Sequence, residues 1–220
     1  MSEVSGQEPA ASERIAAILR DEILSGKIAP GQRILQEEVA ERLGSSRLPV
    51  REAIRILDAD GLLEVEANKG ARVPYLDINQ VEVLYRMRER LEPLALIESM
   101  PALTEADFER LDEIQVRIEA GVDVQAFLEL DREFHLLTYS HCPTEQLRDS
   151  VTRLWNSTSH YRRAFMEITG ARRMWIVNAE HRLLLEALAR QDSQDAERYL
   201  VGHIQRTRKE LSQHPEIFTH

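Results

Sequence analysis

Asp131 and His135 lie four residues apart, the interval that stacks two side chains on one face of a helix. That face also carries Phe127, Leu128 and Phe134, so the carboxylate and the imidazole point into a protein interior. His181 shares a stripe with Val177, Leu184, Leu185 and Leu188, and His203 falls among Tyr199, Leu200, Ile204 and Thr207. Three helices thus aim one carboxylate and three imidazoles at a common core. A single buried histidine is most often a hydrogen-bonded core residue, and Asp131–His135 alone reads as a carboxylate–imidazole hydrogen bond. Agreement of four positions favours a shared divalent cation, because an ionised carboxylate buried without a partner costs on the order of several kcal/mol. Imidazole and carboxylate ligands suit Zn, Ni, Mn or Fe. His141, His160, His214 and His220 do not join the set as clearly.

A second constellation lies nearer the N-terminus. Gly44 to Leu57 holds Arg47, Arg51 and Arg55 against Glu52 alone, a small positive island on a chain of net charge −10. Arg47 and Arg51 share a helix face near a helix start, the part of a helix-turn-helix that enters the major groove. An arginine fork can donate to O6 and N7 of guanine together. Ser46 and the N–H groups of that helix start can bind a phosphate. Lys69 and Gly70, at a hairpin tip, can reach an adjacent groove or the backbone. On charge alone the plain alternative, a solvated helix face, carries equal weight.

Both constellations need elements to hold them, and the periodicity supplies these. Met1–Ala11 reads as a disordered tail. A first helix starts at a Ser12 cap and carries Ile15, Ile18, Leu19 and Ile23; Gly26 stops it. A second spans 36–43. A third runs from a Ser46 cap to Asp60, with Pro49 in its first turn, where a missing N–H has no intrahelical duty. Residues 62–66 and 71–73 read as short strands joined by the turn 67–70. Helix, helix, turn, helix and hairpin is the order of a winged helix-turn-helix, over residues 12–76. From Asp77 onward the pattern is helical only: 77–99, kinked at Pro93, then 104–120, 123–140, 144–165, 173–190 and 193–212. Thr104, Asp123 and Ser193 are the expected caps, and Pro101, Gly121, Pro143 and Gly170 mark the joins. The fold class expected is mainly α: a winged helix-turn-helix followed by an antiparallel all-helical bundle over 77–212, with a tail at 213–220.

With the elements placed, whole stretches of sequence resemble known families. Residues 31–35, Leu43-Gly44-Ser45-Ser46-Arg47-Leu48-Pro49-Val50-Arg51-Glu52-Ala53, Asp60-Gly61-Leu62-Leu63 and Gly70-Ala71-Arg72-Val73 resemble the GntR family of bacterial transcription regulators. The resemblance runs from Ile15 to Pro74 and implies DNA contacts at Arg47 and Arg51, with the wing tip in support. Leu48 departs from the small polar residue common at its position. Arg88-Glu89-Arg90-Leu91-Glu92, Asp131-Arg132-Glu133-Phe134-His135, residues 180–184 and His203 resemble the FCD effector domain of FadR-like GntR regulators. That resemblance implies a metal held by Asp131, His135, His181 and His203 beside a pocket for a small organic acid. Arg88 matches an early arginine of the family and can pair with an effector carboxylate; an intrahelical ion pair with Glu92 is the equal alternative on spacing.

Composition narrows the function classes. Hydrophobic residues are 43% and charged residues 30%, which suits a folded globular protein and not a disordered one. No run of about 18 apolar residues exists to span a membrane. The acidic, polar N-terminus does not read as a secretory signal, and the single Cys142 excludes a disulfide framework, so a cytoplasmic location is expected. The leading expectation is a homodimeric, non-enzymatic transcription regulator, binding a palindromic double-stranded operator and answering to an organic acid. A metal-dependent hydrolase with an appended DNA-binding domain is the competing class. No assignable nucleophile, general base or phosphate-cradling glycine loop accompanies its site. A constitutive DNA-binding protein with a purely structural metal is the third reading.

Overall fold

The computed structural model describes residues 10–66 and 70–218. The chain divides into two compact units, Met1–Tyr75 and Leu76–His220. The turn read at 67–69, Lys69 included, lies outside the described residues, as do residues 1–9, 219 and 220.

The first unit runs α1 (Ala11–Leu24), β1 (Arg33–Ile34), α2 (Gln36–Arg42), α3 (Arg47–Ala59), β2 (Glu64–Glu66) and β3 (Gly70–Arg72). Its core joins Ile15, Leu19 and Ile23 of α1 to Val50, Ala53, Ile54 and Leu57 of α3. Leu62, Leu63, Ala71 and Val73 close that core from the hairpin side. The strands form one antiparallel sheet in the order β1-β3-β2, with Ile34 opposite Ala71 and Val65 opposite Ala71 on its other side. β1 is absent from the sequence-based reading because two residues carry no alternation to detect. Ile18 was expected in the core and is 41% exposed. The Ser12 cap is also corrected: the cap position is Ala10, two residues earlier, and the Glu13 carboxylate accepts from the Ala10 N–H. Buried Glu22 ties the unit together, accepting both arms of Arg42 and the ammonium of Lys27.

The second unit contains α4 (Ile78–Ser99), α5 (Glu105–Glu119), α6 (Val124–Thr138), α7 (Glu145–Ser157), α8 (Ser159–Ala189) and α9 (Ser193–Leu211). α4 packs on α7 and α9, and α8 on α5, α6 and α9, around Tyr85, Leu96, Ile114, Phe134, Trp155, Leu188 and Leu200. The Thr104 and Asp123 side chains cap α5 and α6 as expected. α9 is capped by Asp192, which accepts from the Asp195 N–H, and not by Ser193. Two joins move. The expected break at Gly170 is absent, since α8 passes straight through it. A mid-helix glycine costs only about 1 kcal/mol against alanine, which burial along 31 residues outweighs. The actual break is at Thr158, whose hydroxyl folds back onto the Leu154 carbonyl and also accepts from Arg88. The C-terminal tail is shorter than expected: a 3-10 turn at Pro215–Phe218 buries Ile217 and stacks Phe218 on Tyr161. Among the described residues, no helix is long and apolar enough to cross a membrane.

Candidate metal centre and nucleic-acid interface

The helical spacing of Asp131 and His135 on α6 brings both to the centre of the second unit, where α8 adds His181 and α9 adds His203. The three imidazole rings form a nearly equilateral triangle, with centroids 5.1, 5.1 and 5.2 Å apart. One nitrogen or oxygen from each of the four residues lies within 4.8 Å of all the others. Asp131 Oδ1 is 3.4 Å from His181 Nε2 and 3.9 Å from His135 Nε2, and neither approach is a hydrogen bond.

The outward ring nitrogens are held from other elements. Gln115 of α5 places Oε1 2.8 Å from His181 Nδ1. The orientation of that amide is set by its NH2, which donates to Glu119 and Asn178. Glu180 places Oε2 2.8 Å from His203 Nδ1. Since both oxygens only accept, each Nδ1 carries a proton, the tautomer whose neutral form leaves Nε2 as the ligating nitrogen. His135 Nδ1 is 3.4 Å from the Tyr139 hydroxyl, which donates to Glu92. Phe134 stacks on His181 at 4.3 Å and fixes its plane.

Electrostatics favour the neutral, ligating form of the His135 and His181 rings. Burial holds the His135 imidazole well below the usual histidine range, and the neighbouring His203 and His181 push the same way. Burial lowers His181 to about 3, with Asp131 opposing. His135 Nε2 and His181 Nε2 are buried and have no hydrogen-bond partner. An unsatisfied buried polar atom costs about 1–3 kcal/mol, and here two of them face one carboxylate oxygen. A divalent cation fits this donor set of three nitrogens and one oxygen.

Beside the cluster a cavity is lined by Arg88, Asp131, Trp155, Arg162, Glu180 and Arg206, among others. Arg88 is buried and lines the cavity, yet its Nε donates to Glu92 Oε1 at 2.5 Å. Of the two sequence-based alternatives for Arg88, the ion pair with Glu92 is formed, and the side chain also lines the cavity. Its guanidinium lies 4.3 Å from the Trp155 ring centroid, and that of Arg162 lies 4.2 Å from it. Arg162 also donates to Asp131 Oδ2. Arg162, Gln115, Glu180, Glu92 and Tyr139 were not singled out from sequence as site residues. Of these, Glu92 appeared in the sequence only as the i,i+4 partner of Arg88, and Tyr139, four residues after His135, left a similar local spacing.

In the first unit, α3 presents Arg47, Arg51 and Arg55 into a groove that also takes Arg33, Glu37 and Gly70. Ser46 occupies the cap position of α3 without a side-chain cap bond, so the expected cap is not made and its exposed hydroxyl stays available. Gly70 has φ +84°, and a Cβ there would lie 2.7 Å from the Ile34 carbonyl oxygen. Its glycine is thus required by the approach of β1, a reason internal to the fold. Leu48 is 59% exposed beside Arg47. Arg47 is not bare: its guanidinium is 2.8 Å from the Glu37 carboxylate of α2.

Comparison with known proteins assigns a family to each unit. Residues 83–206 match the FCD domain, and residues 11–73 match the bacterial regulatory proteins of the gntR family. An uncharacterized HTH-type transcriptional regulator, YdhC of Bacillus subtilis, is 29% identical over 84% of each chain. The HTH-type transcriptional repressor RspR of Escherichia coli is 25% identical over 92% of this chain and 89% of its own. The solved structure of E. coli McbR/YncC superposes with a TM-score of 0.79 at 26% identity, covering 94% of this chain and 99% of that one. These homologues are transcription regulators and not enzymes, which removes the hydrolase alternative. Winged helix-turn-helix, helical FCD domain and relatives over most of the chain agree that this chain is a DNA-binding transcription regulator of the GntR family carrying an FCD domain.

Proposed function

We propose that this regulator binds one divalent cation through Asp131, His135, His181 and His203 and uses that centre to capture a small organic acid, which alters its hold on an operator. The observation that carries the reading is the pair of buried, partnerless Nε2 atoms facing Asp131. When bound, the cation supplies a fixed positive charge that attracts a carboxylate. Gln115 and Glu180 hold the imidazoles in the ligating tautomer. Arg88 and Arg162, stacked on Trp155, offer guanidinium N–H groups to an anion in the cavity.

On the DNA side, Ser46, Arg47, Arg51, Lys69 and Gly70 form the interface, with Arg47 and Arg51 reading base edges. The operator is palindromic and the regulator a homodimer, because one short recognition helix reads few base pairs and two-fold pairing doubles the site. We assign it as a repressor, following the printed name of RspR. An effector can switch it only by binding one arrangement of the DNA-binding units more tightly than the other. Untagged protein is assayed for bound metal, then titrated with operator in the presence and absence of a panel of di- and hydroxycarboxylates. A metal-loaded protein whose operator affinity ignores every acid would leave the ion a purely structural role. Light scattering with and without DNA tests the dimer, and a monomer mass in both would contradict it.

A further inference from the structure

The arginines that line the reading groove are each held by a carboxylate of the same unit. Arg47 pairs with Glu37 at 2.8 Å, Arg55 with Glu52 at 3.3 Å, and Arg51 with Glu52 and Arg33 with Glu66 at 3.6 Å. The Glu37 pair differs from the others. It joins the first residue of α3 to the first turn of α2, and its two side chains are 69% and 70% exposed. An ion pair that open to water contributes about 0–1 kcal/mol to stability, so the fold does not explain a carboxylate there. Glu37 and Glu38 also line the groove that holds Arg47, so carboxylates stand beside that arginine.

We infer that Glu37 is a specificity-determining residue: it withholds Arg47 from backbone phosphate and yields it to a guanine edge. A phosphate approaching Arg47 must displace Glu37 and lie beside its charge. A guanine offers O6 and N7 as neutral acceptors, which the fork of Arg47 can take. The penalty therefore falls on sequence-independent contacts more than on base contacts. Glu37 lowers non-specific affinity and so raises the ratio of specific to non-specific binding. This inference rests on Arg47 being a DNA contact, as proposed above.

The test measures fluorescence anisotropy of the full chain with a random-sequence duplex of about three helical turns, at several salt concentrations, for wild type, Glu37→Gln and Glu37→Ala. Removing one carboxylate charge within a few ångström of phosphate should tighten non-specific binding about three- to tenfold. With Arg47 freed to neutralise one more phosphate, the slope of log K against log salt should steepen by about 0.9. The Arg47→Ala background should lose most of that gain. Duplexes selected by wild type from a randomised pool should change affinity less than the random duplex does. Unchanged non-specific affinity in both Glu37 variants, or an equal gain in the Arg47→Ala background, would overturn the inference. Circular dichroism checks that the variants fold. Wild-type protein that binds no duplex at all would instead contradict the DNA-contact assignment itself.

Discussion

The two charged constellations solve opposite problems. In the reading groove the ionisable groups are exposed and paired, so each arginine has an occupant that DNA can replace at low cost in desolvation. In the helical unit His135 and His181 are buried and one nitrogen of each has no hydrogen-bond partner, while the Nδ1 of all three rings lies against a polar neighbour. Exposed pairs are a surface poised for exchange. Buried lone pairs arranged around one carboxylate suit the cation proposed for them, a ligand that stays. The contrast predicts that substitutions in the groove change DNA affinity in graded steps, whereas substitutions in the cluster act on metal binding nearly all-or-none.

The largest effect is expected at the cluster. His135→Ala or His181→Ala should reduce bound metal from about one ion per chain to a negligible level by elemental analysis, while operator affinity without effector survives. Retention of stoichiometric metal by both variants would erase the contrast. The next largest effect lies one layer out. Gln115→Ala or Glu180→Ala should weaken metal binding by about 10–100-fold, because these residues hold the ligating tautomer. Competition against a chromogenic chelator measures it, and wild-type affinity in both would mean that the rings are oriented by packing alone.

These outer residues also show where sequence reading stops. Asp131 and His135 were legible because they sit on one helix at an interval that periodicity detects. His181 and His203 were legible because each lies on a strong apolar stripe. Gln115 reaches His181 across 66 positions, and Arg162 reaches Asp131 across 31, so neither partnership leaves a local pattern. The same limit explains the fold corrections. Gly170 carries the local signature of a helix stop, but packing along α8 overrides it. The chain turns instead at Thr158, whose hydroxyl donates to the Leu154 carbonyl and accepts from Arg88, 70 positions away. In the DNA unit the recognition helix and hairpin were legible. β1 was not, being two residues long and defined only by its pairing with β3.

In the groove the effects are smaller and graded. Arg47→Ala and Arg51→Ala should each cost about 1–3 kcal/mol of operator binding if the side chain is bidentate to guanine. Anisotropy titrations at fixed salt measure this, and unaltered operator affinity in the double variant would remove the recognition helix from the account.

The smallest effect is on stability and depends on pH. The Arg42 guanidinium beside Glu22 holds its carboxyl at about 2 against an ordinary 4.5, burial opposing and Lys27 assisting. A lowered folded value means that the contribution is fully present above about pH 4.5 and is lost as pH falls toward 2. Glu22→Gln should therefore destabilise the first unit by about 1–2 kcal/mol at neutral pH, the half-exposed partners screening part of the interaction. The difference from wild type should close as pH drops through that window in denaturant titrations followed by circular dichroism. A gap independent of pH would assign the loss to packing.

The central claim is that the nitrogens left unpaired around Asp131 await a divalent cation. Thermal unfolding of chelator-stripped, untagged protein tests it most directly, with Zn, Ni and Mn each added in turn and uptake measured on the same samples. The account predicts uptake of one ion per chain and a midpoint that rises with metal concentration, as binding to the folded state alone requires. No uptake and no shift with any of the three metals would contradict it, and the cluster would then be a polar core without a ligand.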